Sequence, residues 1–133
     1  MKKLIRVVGA AIVAGERVLA AQRGVGISLE GKWEFPGGKI EAGETPAAAL
    51  VRELKEELDC CVEVGDLVNT ATYDYDFGSV ELSIFFCTLV GREPTPKEHA
   101  QIRWVEISQL YELDWAPADL AAVDALVGRT DES

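Results

Sequence analysis

The sequence predicts an α+β domain in which helices pack on the faces of a mixed β-sheet. Three observations support this class: a β-hairpin pattern near the start, one amphipathic helix pattern in the middle, and strand-like runs that return before a last helix. The chain has 133 residues and is 48% hydrophobic, enough for one core without structural disulfides or metals. We therefore predict a single domain over residues 1–128 and a disordered tail over residues 129–133.

The first elements form a hairpin. Ile5–Val13 and Val18–Gln22 are rich in β-branched residues and are joined by a tight turn at Ala14–Arg17. A glycine-rich loop, GVGISLEGK, leads to a short apolar run at Trp33–Phe35. The Pro36-Gly37-Gly38 segment that follows is typical of a turn.

A helix is predicted over Pro46–Leu58. Thr45 is suited to cap its first turn, and proline is favoured at the first helical position. One apolar stripe at helical spacing consists of Ala47, Leu50, Leu54 and Leu58. The opposite face carries the acidic residues.

Strand patterns return in the second half of the chain. The predicted strands are Cys61–Val68, Thr70–Asp76, Ser79–Val90 and Ile102–Val105. A polar loop, GREPTPKEHAQ, precedes the last of them, and helices are predicted at Ile107–Tyr111 and Pro117–Val127.

The composition excludes several classes of partner. A formal net charge of -10, from 23 acidic and 13 basic residues, argues against a nonspecific grip on a nucleic acid polymer and against binding to an anionic membrane. No apolar run reaches the roughly 18 residues of a membrane span. Cys60, Cys61 and Cys87 have no metal-type spacing and are predicted to be reduced thiols. We expect a cytoplasmic protein, either a monomer or a homodimer.

The end of the predicted middle helix is unusually acidic. In RELKEELDC, Glu53, Glu56 and Glu57 lie three or four residues apart and so share one patch of helix surface. Each like-charge pair costs about 0.2 to 0.5 kcal/mol, and acids near a helix C-terminus cost about 0.3 to 1 kcal/mol each. A solvated acidic face is the simplest interpretation. Glu44 and a glycine-rich turn lie close by, however, and oxygen ligands of this kind suit a hard divalent cation.

The run GKIEAGETPAAALVRELKEELDC resembles the Nudix family. It follows the Nudix signature Gx5Ex7REUxEExGU, where U is a bulky aliphatic residue, through Gly38, Glu44, Arg52, Glu53, Leu54, Glu56 and Glu57. The segments WEFPGGK and WAPAD, and the AQR segment ending in Arg23, are also similar to MutT-type and CTP-hydrolysing members. Asp59 stands where the signature has glycine, and Cys60 stands at its last aliphatic position. Neither departure removes a metal ligand.

The resemblance implies a Nudix α/β/α sandwich and a metal-dependent hydrolase. MutT-like members convert nucleoside triphosphates to the monophosphate and pyrophosphate by water attack on the phosphate chain. The implied cofactor is Mg²⁺, with Mn²⁺ as a substitute, and the implied partner is a small nucleotide. Such enzymes serve nucleotide pool sanitation and DNA repair.

The resemblance also assigns roles to residues. The implied metal ligands are Gly37, through its carbonyl, and Glu53, Glu56, Glu57 and Glu98. Either Glu53 or Glu98 would deprotonate or orient the attacking water. Glu44 and Arg52 would brace the loop and helix, and Arg23 and Lys39 would contact phosphate.

The base-binding assignment rests on Asp119 and Phe77. Asp119 matches the position at which MutT-like enzymes read the base edge, and Phe77 is an aromatic residue suited to stacking. An ionised Asp only accepts hydrogen bonds, which favours an amino group such as cytosine N4 over oxidised guanine. A protonated Asp in an apolar pocket could still donate.

Two other functions remain open at this point. The chain could hydrolyse another nucleoside diphosphate derivative, such as a nucleotide sugar or a dinucleoside polyphosphate. It could also be a noncatalytic Nudix module that senses nucleotides.

Overall fold

The computed structural model describes residues 3–131 of the chain. The strands are β1 (Leu4–Ala14), β2 (Arg17–Gln22), β3 (Trp33–Glu34), β4 (Gly37–Lys39), β5 (Cys61–Tyr75), β6 (Gly78–Val90) and β7 (Gln101–Glu106). The helices are α1 (Pro46–Leu58) and α2 (Leu120–Asp131), and two 3₁₀ turns lie at Ile107–Glu112 and Pro117–Asp119.

The strands form a mixed sheet around β1. Their order is β3-β2-β1-β6-β5, with β4 paired to β1 and β7 paired to β2. The β1–β6 pair is parallel, whereas β1 pairs antiparallel with both β2 and β4. The predicted first hairpin is confirmed, since Val13 pairs with Val18 and Ala14 with Arg17 around a tight turn.

The helices cover opposite faces of this sheet. Alternate residues of β1 point to opposite sides, so Val8 and Ile12 pack with α1 while Ala11 packs with α2. Buried Leu50 and Leu54 anchor α1. The predicted α+β class, a mixed sheet between helical layers, is therefore confirmed.

Helix α1 begins and ends as the sequence predicts. The Thr45 hydroxyl accepts a hydrogen bond from the Ala48 N–H at 3.1 Å. At the other end Asp59 adopts a left-handed conformation, φ 49° and ψ 43°, and its N–H donates to the Lys55 carbonyl. Asp59 thus serves as the C-cap that glycine usually provides.

Several predicted boundaries were wrong. Cys61–Tyr75 is one strand, because two register irregularities between Val64 and Asn69 absorb the break expected there. Gly37–Lys39 pairs with β1 instead of forming only a turn. Ile107–Glu112 is a 3₁₀ turn, and Ala47 is exposed while Ala49 is buried.

The C-terminal boundary also moves. Helix α2 continues to Asp131, so residues 129–131 are helical and are not part of a disordered tail. Residues 132–133 lie outside the described part of the chain. Within residues 3–131, no helix is both long enough and apolar enough to cross a membrane.

The left-handed cap generates a stability prediction. Asp59→Gly should relieve about 1 kcal/mol of backbone strain. It also removes the exposed ion pair between Asp59 and Arg92, which spans 2.7 Å and contributes about 0 to 1 kcal/mol. In an Arg92→Ala background, where that pair is already absent, we expect Asp59→Gly to raise the unfolding free energy by about 1 kcal/mol in urea titrations. A decrease in that background would mean that the Asp59 backbone is not strained.

Candidate active site

The acidic residues of α1 lie on the helix flank that faces β4. The apolar stripe fixes this orientation, because Leu50, Leu54 and Leu58 are fully buried against the sheet. Glu53 and Glu57 are then partly buried at the edge of the sheet, whereas Glu56 is exposed. The three acids of the motif therefore occupy different environments.

Arg52 holds these acids together. Its Nε and Nη2 donate to the two carboxylate oxygens of Glu44 at 2.7 and 2.9 Å, and its Nη1 donates to Glu53 at 2.9 Å. Nη1 also reaches Glu56 at 3.4 Å, and Nη2 donates to the Lys39 carbonyl at 3.1 Å. A planar guanidinium can satisfy several acceptors at once, which an ammonium group cannot do in the same geometry. Arg52 thus ties the loop before α1 to the acidic face of the helix.

The Arg52 contacts also set the ionisation of Glu44. Hydrogen bonds from Arg52, and then from the backbone at Glu41, lower the pKa of Glu44 to about 2. The carboxylates of Glu44 and Glu53 in turn raise the pKa of Arg52 above its already high ordinary value. This pair is therefore charged across the physiological pH range.

Glu53 lies directly against the backbone of β4. A Cβ atom at Gly38 would stand only 2.3 to 2.6 Å from the Glu53 carboxyl group. Any side chain at position 38 would displace the carboxylate, so glycine is required there for a close approach. Gly37 is equally confined, since its Cβ would lie 2.0 Å from the Val8 carbonyl oxygen.

Glu57 is the most perturbed acid of the cluster. Burial, then the neighbouring charge of Glu53, and then that of Glu34, raise the pKa of Glu57 well above its ordinary value. Its Oε2 atom is buried and has no hydrogen-bond partner among the described residues. A buried carboxylate oxygen of this kind is unfavourable unless a proton or a cation joins it.

A cleft extends from this acid cluster across the sheet. Glu57 and Gly37 line one end, Asp119 and Phe77 line the other, and Arg23 lies along the wall. Lys39 also lines the cleft, with an exposed side chain. The cleft thus brings together two of the predicted metal residues with the predicted phosphate and base residues, while Glu53, Glu56 and Glu98 are not among its lining residues.

Asp119 is a buried polar side chain at the end of the cleft opposite Glu57. It is 5% exposed, and its Oδ2 accepts a hydrogen bond from the Phe35 N–H at 2.9 Å. Trp115, shortly before the 3₁₀ turn of Asp119 along the chain, stacks on Phe35 with ring centroids 4.8 Å apart. Burial raises the pKa of Asp119 to about 8, although the Phe35 N–H acts in the opposite direction. At neutral pH this carboxyl is mostly protonated, so it can donate as well as accept.

Aromatic side chains stand beside Asp119. The rings of Tyr75 and Phe77 are stacked, with centroids 5.0 Å apart, and Phe77 is 55% exposed. The Tyr75 hydroxyl accepts a hydrogen bond from the Ala118 N–H at 2.9 Å. An exposed, supported ring at the mouth of a cleft provides a surface on which a nucleobase could stack.

Arg23 is held on the cleft wall by a carboxylate that the sequence analysis did not identify. Its Nη1 donates to Glu34 at 2.8 Å, and its Nε donates to the Ser28 carbonyl at 2.6 Å. The second oxygen of Glu34 lies 2.9 Å from His99 Nε2. The His99 side chain is only 7% exposed. No sequence pattern indicates this network, because its members are 11 and 65 residues apart.

Glu98 lies in the loop over residues 91–100. The residue is exposed, but its charge is close enough to Glu57 to contribute to the raised pKa of that carboxyl. The loop is attached to the end of α1, since the Lys97 N–H donates to the Glu57 carbonyl at 3.1 Å. The structure thus brings Glu98 near the acid cluster without direct contact.

The donor set fits a hard divalent cation. The unpartnered Oε2 of Glu57, the adjacent Glu53 carboxylate and the confined glycine backbone supply oxygen atoms at one edge of the cleft. Within residues 3–131, no three His, Cys, Asp or Glu side chains are already grouped around one metal position. Arg52 engages Glu56, and Glu98 belongs to a loop, so these two acids would have to reorient to join Glu53 and Glu57.

Comparisons with known proteins identify the family. The family model for the NUDIX domain matches residues 3–126. The 8-oxo-dGTP diphosphatase of Proteus vulgaris is 39% identical over 73% of this chain and 87% of its own length, and the CTP pyrophosphohydrolase of Escherichia coli (strain K12) is 32% identical over 94% and 93%. The solution structure of MutT from methicillin-resistant Staphylococcus aureus 252 has a TM-score of 0.79 and 48% identity, covering 97% of this chain and 99% of that one. The chain belongs to the Nudix family and is a MutT-like Nudix hydrolase.

The raised pKa of Glu57 predicts how the stability of the metal-free protein depends on pH. The unfolded carboxyl titrates near 4.5, and the folded one titrates higher, so the folded state binds more protons between these pH values. Stability should therefore fall as the pH rises above about 4.5. In the presence of chelator, Glu57→Gln should remove part of this loss and raise the unfolding free energy by about 1 to 2 kcal/mol at pH 8, a figure reduced for partial solvation.

Urea titrations between pH 5 and pH 8 would measure this effect. Glu56→Gln is the matched control, because the Glu56 side chain is 61% exposed. Parallel pH profiles for the wild-type and Glu57→Gln proteins would contradict the prediction.

Proposed function

We propose that this Nudix hydrolase is a divalent-metal-dependent nucleoside triphosphate pyrophosphohydrolase that releases a nucleoside monophosphate and pyrophosphate. The observation that carries the proposal is the single cleft that joins Glu57 and Gly37 at one end to Asp119 at the other. One end offers unpartnered carboxylate oxygen, and the other offers a buried hydrogen-bonding group beside an exposed aromatic ring.

The acid cluster would hold the metal. The Gly37 carbonyl and the carboxylates of Glu53 and Glu57 are the proposed ligands, and Glu56 and Glu98 would complete the set. Mg²⁺, or Mn²⁺ in its place, would when bound neutralise the phosphates and lower the pKa of the attacking water. The net charge of -10 makes a cation necessary here, because the acidic cleft would otherwise repel a polyphosphate.

Arg23 and Lys39 would bind the phosphate chain. Both line the cleft. Glu34 fixes the Arg23 guanidinium through one hydrogen bond, and N–H groups remain on both Nη atoms for phosphate oxygens. Glu44 and Arg52 would act indirectly, by holding the Glu53 carboxylate in place.

The attacking water would lose its proton to a carboxylate. Glu53 and Glu98 are the two candidates. Glu53 accepts a hydrogen bond from Arg52 at 2.9 Å, and Glu98 is exposed to solvent. We expect Glu57 to serve as a ligand, since its buried oxygen has no partner until a cation arrives.

Asp119 and Phe77 would recognise the base. The prediction that Asp119 favours cytosine assumed an ionised carboxylate, but burial keeps this group mostly protonated at neutral pH. A neutral carboxyl pairs with an amino group and an acceptor, as in cytosine, and equally with a carbonyl and an N–H, as in oxidised guanine. We therefore propose a substrate range that covers both CTP-like nucleotides and 8-oxo-dGTP.

This substrate range agrees with the names of the two relatives reported above, a CTP pyrophosphohydrolase and an 8-oxo-dGTP diphosphatase. It would give the protein a place in nucleotide pool sanitation and DNA repair. The three cysteines are free thiols, which is consistent with a cytoplasmic enzyme.

Activity assays with Mg²⁺ and a panel of CTP, dCTP, 8-oxo-dGTP, a nucleotide sugar and a dinucleoside polyphosphate would test the proposal. We expect triphosphates to give monophosphate and pyrophosphate, and we expect chelator to abolish turnover. Glu53→Gln and Glu57→Gln should each lower kcat by about 100-fold or more, because they remove charge that stabilises the transition state.

Lys55→Ala is the matched control on the same helix, since Lys55 is exposed. Oxygen-labelled water would locate the attack, as label in pyrophosphate indicates the β-phosphorus. Release of orthophosphate or a sugar phosphate as the main product would contradict the triphosphate proposal. Binding of nucleotides without turnover would instead indicate a sensor.

The pKa of Asp119 predicts that recognition of the base depends on pH. As the pH rises through about 8, Asp119 loses its proton and can no longer donate to a base carbonyl. It also can no longer donate to the ring acceptor of cytosine, so we expect kcat/KM for both 8-oxo-dGTP and CTP to fall by about 10-fold between pH 7 and pH 9, as one lost hydrogen bond would give.

Asp119→Asn keeps both hydrogen-bonding functions at every pH, so its kcat/KM values should lack this component. Ionisation of the substrates affects both proteins equally and cancels in the comparison. Superimposable pH profiles would show that Asp119 does not read the base.

A further inference from the structure

The loop that carries Glu98 has little structure of its own. Residues 91–100 form neither helix nor strand, and most of them are exposed. A metal ligand in such a loop would lose affinity unless other contacts fixed its backbone, because ordering the loop on binding costs entropy. The contacts that fix this loop are therefore part of the metal site.

Backbone hydrogen bonds hold the loop on both sides of Glu98. The N–H groups of Thr95 and Lys97 donate to the Leu58 and Glu57 carbonyls at 2.7 and 3.1 Å, at the C-terminus of α1. The Ala100 N–H donates to the Gln22 carbonyl at 2.9 Å, at the end of β2. Glu98 thus lies on a short span between a helix end and a strand end.

His99 is the buried side chain on this span. Its Nε2 lies 2.9 Å from Glu34 Oε2, and a carboxylate only accepts, so Nε2 is the donor. Glu34 is in turn fixed by Arg23 at 2.8 Å and belongs to β3 in the sheet. The residue that follows Glu98 is consequently attached to the sheet by a buried, directional contact.

The second ring nitrogen of His99 indicates that this contact is not there simply to stabilise the fold. Nδ1 is buried and has no hydrogen-bond partner among the described residues. An unpartnered buried nitrogen reduces stability, and an apolar side chain of similar size would avoid that cost. Position 99 therefore carries an unfavourable atom together with one specific hydrogen bond.

We propose that His99 is a positioning residue that holds Glu98 beside Glu57 through its hydrogen bond to Glu34. The proposal rests on the proposed function, in which Glu98 and Glu57 bind the divalent cation. It adds a residue outside the acid cluster and couples the metal end of the cleft to the Arg23 wall.

Two substitutions separate the hydrogen bond from the bulk of the side chain. His99→Gln keeps an N–H donor at a comparable distance from the backbone, whereas His99→Leu keeps the volume without the donor. Lys97→Ala is the control in the same loop, because Lys97 uses its backbone and not its exposed side chain.

The first readout is Mn²⁺ affinity without nucleotide, measured by electron paramagnetic resonance. We expect His99→Leu to raise the Kd by about 10-fold or more, as for other residues that orient metal ligands, and His99→Gln to stay within about threefold of the wild type. In a Glu98→Gln background His99→Leu should cause no further loss, because its effect passes through Glu98.

The second readout is hydrogen exchange of the Lys97 and Ala100 amides in metal-free protein. His99→Leu should accelerate exchange at both amides, and His99→Gln should not. This measurement does not depend on metal or nucleotide, so it tests the anchor even if the proposed function fails. Unchanged exchange in His99→Leu, equal impairment by Leu and Gln, or an additive loss in the Glu98→Gln background would each overturn the proposal.

Discussion

The guanidinium of Arg52 is the contact on which the acid cluster depends. Three glutamates at the end of one helix repel one another and the helix dipole, and the adjacent loop adds Glu44. Arg52 engages both oxygens of Glu44, one oxygen of Glu53 and the Lys39 carbonyl with a single planar group. It thereby compensates part of the charge and fixes the helix to the loop, while Glu57 keeps an oxygen that no protein group satisfies.

Each end of the cleft has a carboxyl group that is perturbed by burial. Glu57 and Asp119 are both carboxyls whose pKa is raised, in each case first by burial. Burial makes each group unfavourable in its charged form. In the proposed function Glu57 would bind a cation and Asp119 would form hydrogen bonds with a base, although neither pKa follows from residue type.

Much of this arrangement could be predicted from local sequence. The spacing of Leu50, Leu54 and Leu58, with Thr45 before them, determines where α1 begins and which face carries the acids. Asp59 as a left-handed cap follows in the same way, since it depends on one residue and its own helix. The roles of the motif residues came from a resemblance, and their ligand assignments remain proposals.

The features that the sequence did not predict depend on contacts between distant segments. His99 contacts Glu34 across 65 positions, and Asp119 accepts its hydrogen bond from Phe35, which is 84 positions away. The continuity of β5 likewise depends on its pairing with β6, which carries the strand through two irregularities. Sequence periodicity reports on neighbours along one element, so it contains no signal for these contacts.

We propose that one nucleotide spans the cleft, with its phosphates bound to the acids of α1 through a divalent cation and its base beside Asp119. A crystal structure with Mn²⁺ and a nonhydrolysable CTP analogue, with the metal located by anomalous scattering, tests it most directly. We expect Mn²⁺ bound by Glu57, Glu53 and the Gly37 carbonyl, with phosphate oxygens on the same ion and the base beside Asp119. Mn²⁺ bound away from Glu53 and Glu57, or a base placed outside the cleft, would contradict it.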